Sequence, residues 1–154
     1  MTPQQHTALK ADILADPTLV QYVADGRINA IVAAYNAEAS PTFTVWKPDV
    51  GPSQLPPLFT WTEVDALTNG KARIWEWMRE LEVLDCRAPN VRQGLNDAFG
   101  SATATKAAVL AYIKRNATRA EKLFAAGTGS VASPGTLVFL GDVTDADIEA
   151  ALRS

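Results

Sequence analysis

The chain has 154 residues, with 47% hydrophobic and 20% charged side chains, a composition that excludes intrinsic disorder and predicts one globular domain, residues 1–154. One cysteine, Cys86, and one histidine, His6, exclude an internal disulfide framework, a cysteine- or histidine-rich metal centre and a catalytic triad built on an internal histidine. A net charge of -3 argues against a protein that coats nucleic acid. The longest apolar runs, Ile31–Tyr35 and Leu137–Leu140, fall far short of the roughly 20 residues a membrane span needs. The opening MTPQQHTALKAD has no apolar signal core, so the expectation is a protein made and kept in a cytoplasm, or built there into something larger.

In chain order, His6–Asp16 reads as a short helix with Leu9 and Ile13 on one face. Asp16-Pro17 restarts the chain. The carboxylate accepts from free backbone N–H groups, and proline at the first helical position has no N–H to lose. A second helix is predicted over Thr18–Ala24, stopped at Gly26, and a third over Ile28–Asn36, where Ile28, Ile31, Val32 and Tyr35 form one stripe. Thr42–Trp46 is β-branched and aromatic and reads as a short strand. Residues 47–59 follow, with four prolines between Pro48 and Pro57, and read as a long loop or arm.

Thr60-Trp61-Thr62-Glu63 has the capping-box spacing, which predicts a helix from Trp61 to about Leu67. KARIWEWMREL predicts a helix with Ile74, Met78 and Leu81 on one face. Trp75 and Trp77, two residues apart, cannot face the same way, so one belongs to the core and the other to an interface or loop. Asn90 opens a short helix carrying Val91, Leu95 and Phe99. The longest predicted helix runs from Thr103 or Thr105 to about Ala126, striped by Val109, Tyr112, Ile113, Ala117, Ala120 and Phe124. Residues 130–154 are expected to supply a strand, Thr136–Leu140, and a last helix capped by Thr144, together a candidate interface element. The fold class is mainly α: a small helical bundle of five to seven helices, one or two short β strands, and an extended loop or arm.

Chemistry-bearing motifs are weak. Gly127-Thr-Gly-Ser lacks the lysine and the strand-to-helix setting of a phosphate loop. Glu76 and Glu80 share a helix face, whereas general acid–base work needs carboxylates facing each other across a cleft. Asp142, Asp145 and Asp147 lack the glycine and terminal glutamate of a calcium loop and read as a cap with an acidic first turn. Cys86 has no base nearby in sequence. The reading is of a non-enzyme, without cofactor, metal or small-molecule substrate.

Two patterns suit protein contacts instead. Residues 1–70 hold three basic and seven acidic side chains, residues 71–122 ten and six, and residues 123–154 one and four, an acid–base–acid order that lets copies pack with unlike charges facing. Trp46 and Trp61 flank the proline-rich segment, and tryptophan on irregular backbone either seals a core or anchors an interface. The candidate interface set is Trp46, Trp61, Trp77, Lys114, Arg115, Arg119, Lys122, Leu137 and Phe139. Lys114, Arg115, Arg119 and Lys122 also form a candidate phosphate-contacting ridge, with a solvated or ion-paired face as the alternative.

The strings LKADILADPTL, AAYN, FTWTEVDALTNGKARIWEWM, NVRQGL, KRNATRAEKLFAAGTG and ASPGTLVFLG resemble small virion structural proteins of tailed bacteriophages and prophages. The likeness spans about Leu9 to Gly141 and is strongest in Gly70–Met78 and Ala117–Gly129. It implies a helical body with no catalytic residues, acting as a head-to-tail connector: an adaptor or completion ring between portal and tail proteins. It further implies a virion location after assembly in the bacterial host cytoplasm, proximity to genomic DNA, and a homo-oligomeric ring of about twelve copies closed by head-to-tail contacts. The alternatives are another phage structural role (tail terminator, capsid-associated or scaffolding-like) and a DNA-binding phage protein.

Overall fold

The computed structural model describes residues 1–154. Nine α-helices and two short strands follow one another in the order α1 (Pro3–Ala15), α2 (Pro17–Ala24), α3 (Ile28–Asn36), β1 (Thr44–Trp46), α4 (Trp61–Asp65), α5 (Asn69–Arg79), α6 (Pro89–Ala98), α7 (Thr103–Tyr112), β2 (Lys114–Asn116), α8 (Arg119–Phe124) and α9 (Asp145–Arg153). The mainly helical class with short strands is as expected. The helix count is higher, and the chain forms two compact units where a single helical domain was expected: Met1–Thr44 with Asn116–Ser154, and Val45–Arg115.

The first unit buries Leu9, Ile13, Leu19, Ile31 and Tyr35 from α1–α3 against Ala120, Val143, Ile148 and Ala151 from the C-terminal segment. Its helix starts follow local chemistry. Asp16 Oδ1 accepts from the N–H groups of Thr18 and Leu19, and Thr144 and Asp147 close a capping box at α9. Phe43 lies against Gly129 and Gly135. A Cβ on either glycine would sit 2.1 or 2.5 Å from its ring, and Gly129 has φ +66°.

The second unit buries Val50, Leu55, Phe59, Trp75, Met78, Leu84, Leu95, Phe99, Val109 and Ile113. Phe59, Trp75 and Phe99 meet one another with ring centroids 5.0–5.5 Å apart, in edge-on or tilted arrangements. On α5, Trp75 is the core tryptophan and Trp77 the exposed one. Leu81, expected on the buried face with Met78, is exposed because the helix ends at Arg79 before that face returns to the core.

Of the two readings of residues 47–59, loop or arm, the structure shows a loop, and two further expectations are corrected. The prolines form two 3-10 turns, Pro52–Gln54 and Pro56–Leu58, that drive Leu55 and Phe59 into the core. The predicted helix over Thr103–Ala126 is broken at Ile113. Lys114–Asn116 pair with β1 instead, and Thr118 starts a new helix through a capping box with Glu121. Its apparent single stripe serves two cores: Val109 and Ile113 in the second unit, Ala120 in the first. Finally, Thr136–Leu140 is not a strand. Only Thr136 makes a bridge, to Ala126, and the segment has burial alternation without a ladder partner: Leu137 buried, Val138 exposed, Phe139 half-buried, Leu140 exposed.

Candidate functional site

The nine residues singled out from the sequence do not converge on one site. They fall into four settings, and only one of these leaves tryptophan exposed to solvent.

That setting lies in the second unit. Trp61 begins α4 and Trp77 sits on α5, and they are 62% and 64% exposed. Trp61 meets the core residue Phe59 in a T-shaped arrangement, ring centroids 5.5 Å apart. Leu81 and Val83, just beyond α5, are also exposed. Arg73 and Arg79 on the same helix are exposed and make no ion pair. Exposed tryptophan beside unpaired arginine is the composition that dominates binding energy where proteins meet.

Trp46 and Lys114 form the second setting. Trp46 is half-buried against the core of the second unit, and the Lys114 ammonium lies 5.3 Å from its ring centroid. The Arg92 guanidinium, which the sequence did not single out, is closer at 4.7 Å. Arg115 is partly buried and has partners of its own.

Arg119 and Lys122 belong to the first unit and do not form a free basic ridge. Arg119 donates from Nη2 and Nε to Asp12 Oδ2 at 2.9 and 3.2 Å and from Nη1 to Asp16 Oδ2 at 2.8 Å. Its guanidinium carbon stands 5.0 Å from the Tyr35 ring centroid, and the Tyr35 hydroxyl donates to the same Asp12 oxygen at 2.6 Å. Burial, followed by the Asp12 carboxylate, pushes the Tyr35 phenol well up from its ordinary value. The hydrogen bond from Arg119 holds Asp16 below the ordinary carboxylate value. Lys122 Nζ donates to Pro41 O at 2.9 Å. These groups line a cavity of about 630 Å³ with Glu38, Ser40 and Leu123. Every charged group of that lining has a hydrogen-bond partner within the unit, Glu38 through Asn116. The cavity holds a satisfied ion-pair network and no nucleophile–base pair. Thr118-Arg-Ala-Glu121 is the sequence signal that separates Arg119 and Lys122 from Lys114, because a capping box there ends any single-helix reading.

Leu137 and Phe139 form the fourth setting. Leu137 is buried, and Phe139 packs on Phe124 with ring centroids 5.6 Å apart. The exposed apolar side chains of that segment are Val131, Val138 and Leu140.

Cys86 is fully buried, and burial, then the Asp85 charge, pushes its thiol up to about 11, so it is held as an unreactive thiol. No three His, Cys, Asp or Glu side chains are grouped to hold a metal ion, and no helix is long and apolar enough to cross a membrane. No protein family, curated protein or solved structure matches this chain.

Proposed function

We propose that this chain is a structural subunit of a tailed-bacteriophage virion, acting at the head–tail junction as an adaptor or completion-ring protein through contacts with copies of itself and with portal and tail proteins. The observation that carries the reading is that two tryptophans of the second unit, Trp61 and Trp77, are each more than three-fifths exposed, with Leu81 and Val83 of the same unit exposed as well. Tryptophan is rarely left in water by a protein that works alone. The phage-like strings supply the setting, since FTWTEVDALTNGKARIWEWM carries both tryptophans. The DNA-binding alternative draws less support, because Arg119 is committed to two aspartates and Lys122 to a carbonyl.

The test is self-association of the purified chain by sedimentation velocity and native mass spectrometry. Wild type is expected to form closed oligomers as concentration rises. Trp61→Ser with Trp77→Ser is expected to shift the population to monomer while leaving the thermal unfolding midpoint within about 3 °C, since neither side chain belongs to the buried core. Association unchanged by the double substitution would remove the observation on which the reading rests. Immunogold labelling of particles from the host phage would then separate the junction from a capsid or tail-tube position.

A further inference from the structure

Residues 60–68, which include α4, contribute no fully buried side chain to the second unit. Val64 and Leu67 are half-buried against its core, and Trp61 meets Phe59 in the T-shaped contact described above. What fastens the segment is polar. The Thr60 N–H donates to Thr105 Oγ1 at 3.0 Å. The Glu63 carboxylate accepts from the N–H groups of Ala104 and Thr105 at 3.1 and 2.9 Å and from Thr103 Oγ1 at 3.5 Å. All four bonds reach the first turn of α7. The segment's backbone bonds otherwise stay within it or run to the start of α5: Glu63 and Val64 donate to Thr60 O, Leu67 to Val64 O, and Ala72 to Thr68 O. Both ends are loosely fixed. Neither Thr60 nor Thr68 caps its helix through its side chain, and Gly70 has nothing outside its own helix within 4 Å of where a Cβ would stand. A segment with few buried apolar groups, fastened at one place, opens at a lower free energy than the core beneath it.

We infer that residues 60–68 are a strap that opens from the second unit as one piece, with the Glu63 carboxylate as its latch. Closed, the strap caps α7 and seats Trp61 on Phe59. Open, it gives the N–H groups of Thr60, Ala104 and Thr105 to water together and uncovers the side of the core that Val64 and Leu67 cover. The piece moves whole because the turn of α4 ties Glu63 and Val64 to Thr60 O, so that releasing Glu63 carries Thr60 with it. The latch needs a carboxylate. Its Oε1 takes Thr103 and Ala104 and its Oε2 takes Thr105, whereas an amide offers one acceptor oxygen. The strap is independent of the assembly reading above: it is a property of a single chain and stands whether or not copies associate.

The test is native-state hydrogen exchange of the full chain, resolved by residue with NMR. In wild type, the amides of Thr60, Ala104 and Thr105 are expected to share one opening equilibrium. After correction for intrinsic rates they should exchange about a hundredfold faster or more than the amides of Leu84 and Ile113, which are fully buried and bonded to Val50 O and Val109 O. Glu63→Ala is expected to raise exchange at all three strap-linked amides by about tenfold or more and to leave Leu84 and Ile113 unchanged, with Glu63→Gln between. The Val64 amide, bonded inside the strap, should change least. If Glu63→Ala speeds Ala104 and Thr105 but not Thr60, Glu63 is only a cap on α7 and the strap is overturned. If the three wild-type amides exchange only together with Leu84 and Ile113, the unit opens as a whole and there is no strap. If they show three unlike opening equilibria, the segment frays residue by residue and the inference fails equally. The wild-type arm needs no substitution, so a Glu63→Ala chain that does not fold still leaves a decision.

Discussion

Tyr35 is fully buried, yet its hydroxyl donates to a carboxylate that also takes two bonds from Arg119. A hydrogen bond to a charged group contributes about 1.5–3 kcal/mol, so Tyr35→Phe is expected to lower unfolding free energy by roughly that amount in urea titration, with the ring packing retained. Arg119→Lys is expected to cost stability as well, because a single ammonium cannot span Asp12 and Asp16 as the planar fork does. Gly135 makes a different kind of demand. A Cβ there would meet Phe43 Cε1 at 2.5 Å, so Gly135→Ala is expected to lower the melting temperature in the wild-type background. In a Phe43→Ala background most of that effect should vanish, and calorimetry of the four proteins of the cycle measures the coupling.

Elements depend on groups outside themselves. Thr60-x-x-Glu63 correctly marks the start of α4, but Glu63 does not close the box at its own helix. Its carboxylate accepts from the N–H groups of Ala104 and Thr105 at 3.1 and 2.9 Å, capping α7 across 42 residues of sequence. Those backbone bonds hold its carboxyl below the ordinary value. Glu63→Ala is therefore expected to destabilise α7 and to speed amide exchange at residues 103–106 more than within α4 itself, while Glu63→Gln, which keeps one acceptor, should fall between. The same contrast separates what the sequence makes legible from what it hides. α1, α2, α3 and α9 were readable because Asp16-Pro17, the Ile28–Tyr35 stripe and Thr144-x-x-Asp147 act within one turn of their own backbone. The break at Ile113 was not, because Val109, Ile113, Ala117 and Ala120 have ideal helical spacing and only pairing with a strand about 70 residues earlier pulls Lys114–Asn116 out of the helix. Similarly, β propensity in TLVFL goes unused where no neighbouring strand offers a ladder. Among the candidate site residues, the two-residue offset of Trp75 and Trp77 required that one be exposed, and the structure shows that one to be Trp77. The loss of Arg119 to Asp12 and Asp16 rests on contacts across more than 100 residues, which no local pattern carries.

At the scale of the molecule, several carboxylates titrate together. Asp16 is lowered chiefly by its bond from Arg119, Glu63 by backbone bonds from Thr105 and Ala104, and Asp85 by its bond from Arg87. Each folded-state carboxyl binds its proton less readily than in the unfolded chain, so the unfolded state takes up more protons as the medium acidifies. Their contribution is fully present above the ordinary values of 3.8 and 4.5 and is lost as pH falls through the lowered folded values. Melting temperature is expected to be flat in this respect above about pH 5 and to fall below it, measured in low salt.

The first unit is also discontinuous, assembled from residues 1–44 and 116–154 around a contiguous middle. A ribosome delivers these parts in order. The middle unit is complete once Arg115 has cleared the exit tunnel, whereas Leu9 and Ile13 must wait for Ile148 and Ala151 before their apolar surface is covered. On a translating chain α1 can pack on α2 and α3 early, but the part of its apolar stripe that α9 covers stays open until α9 has been made.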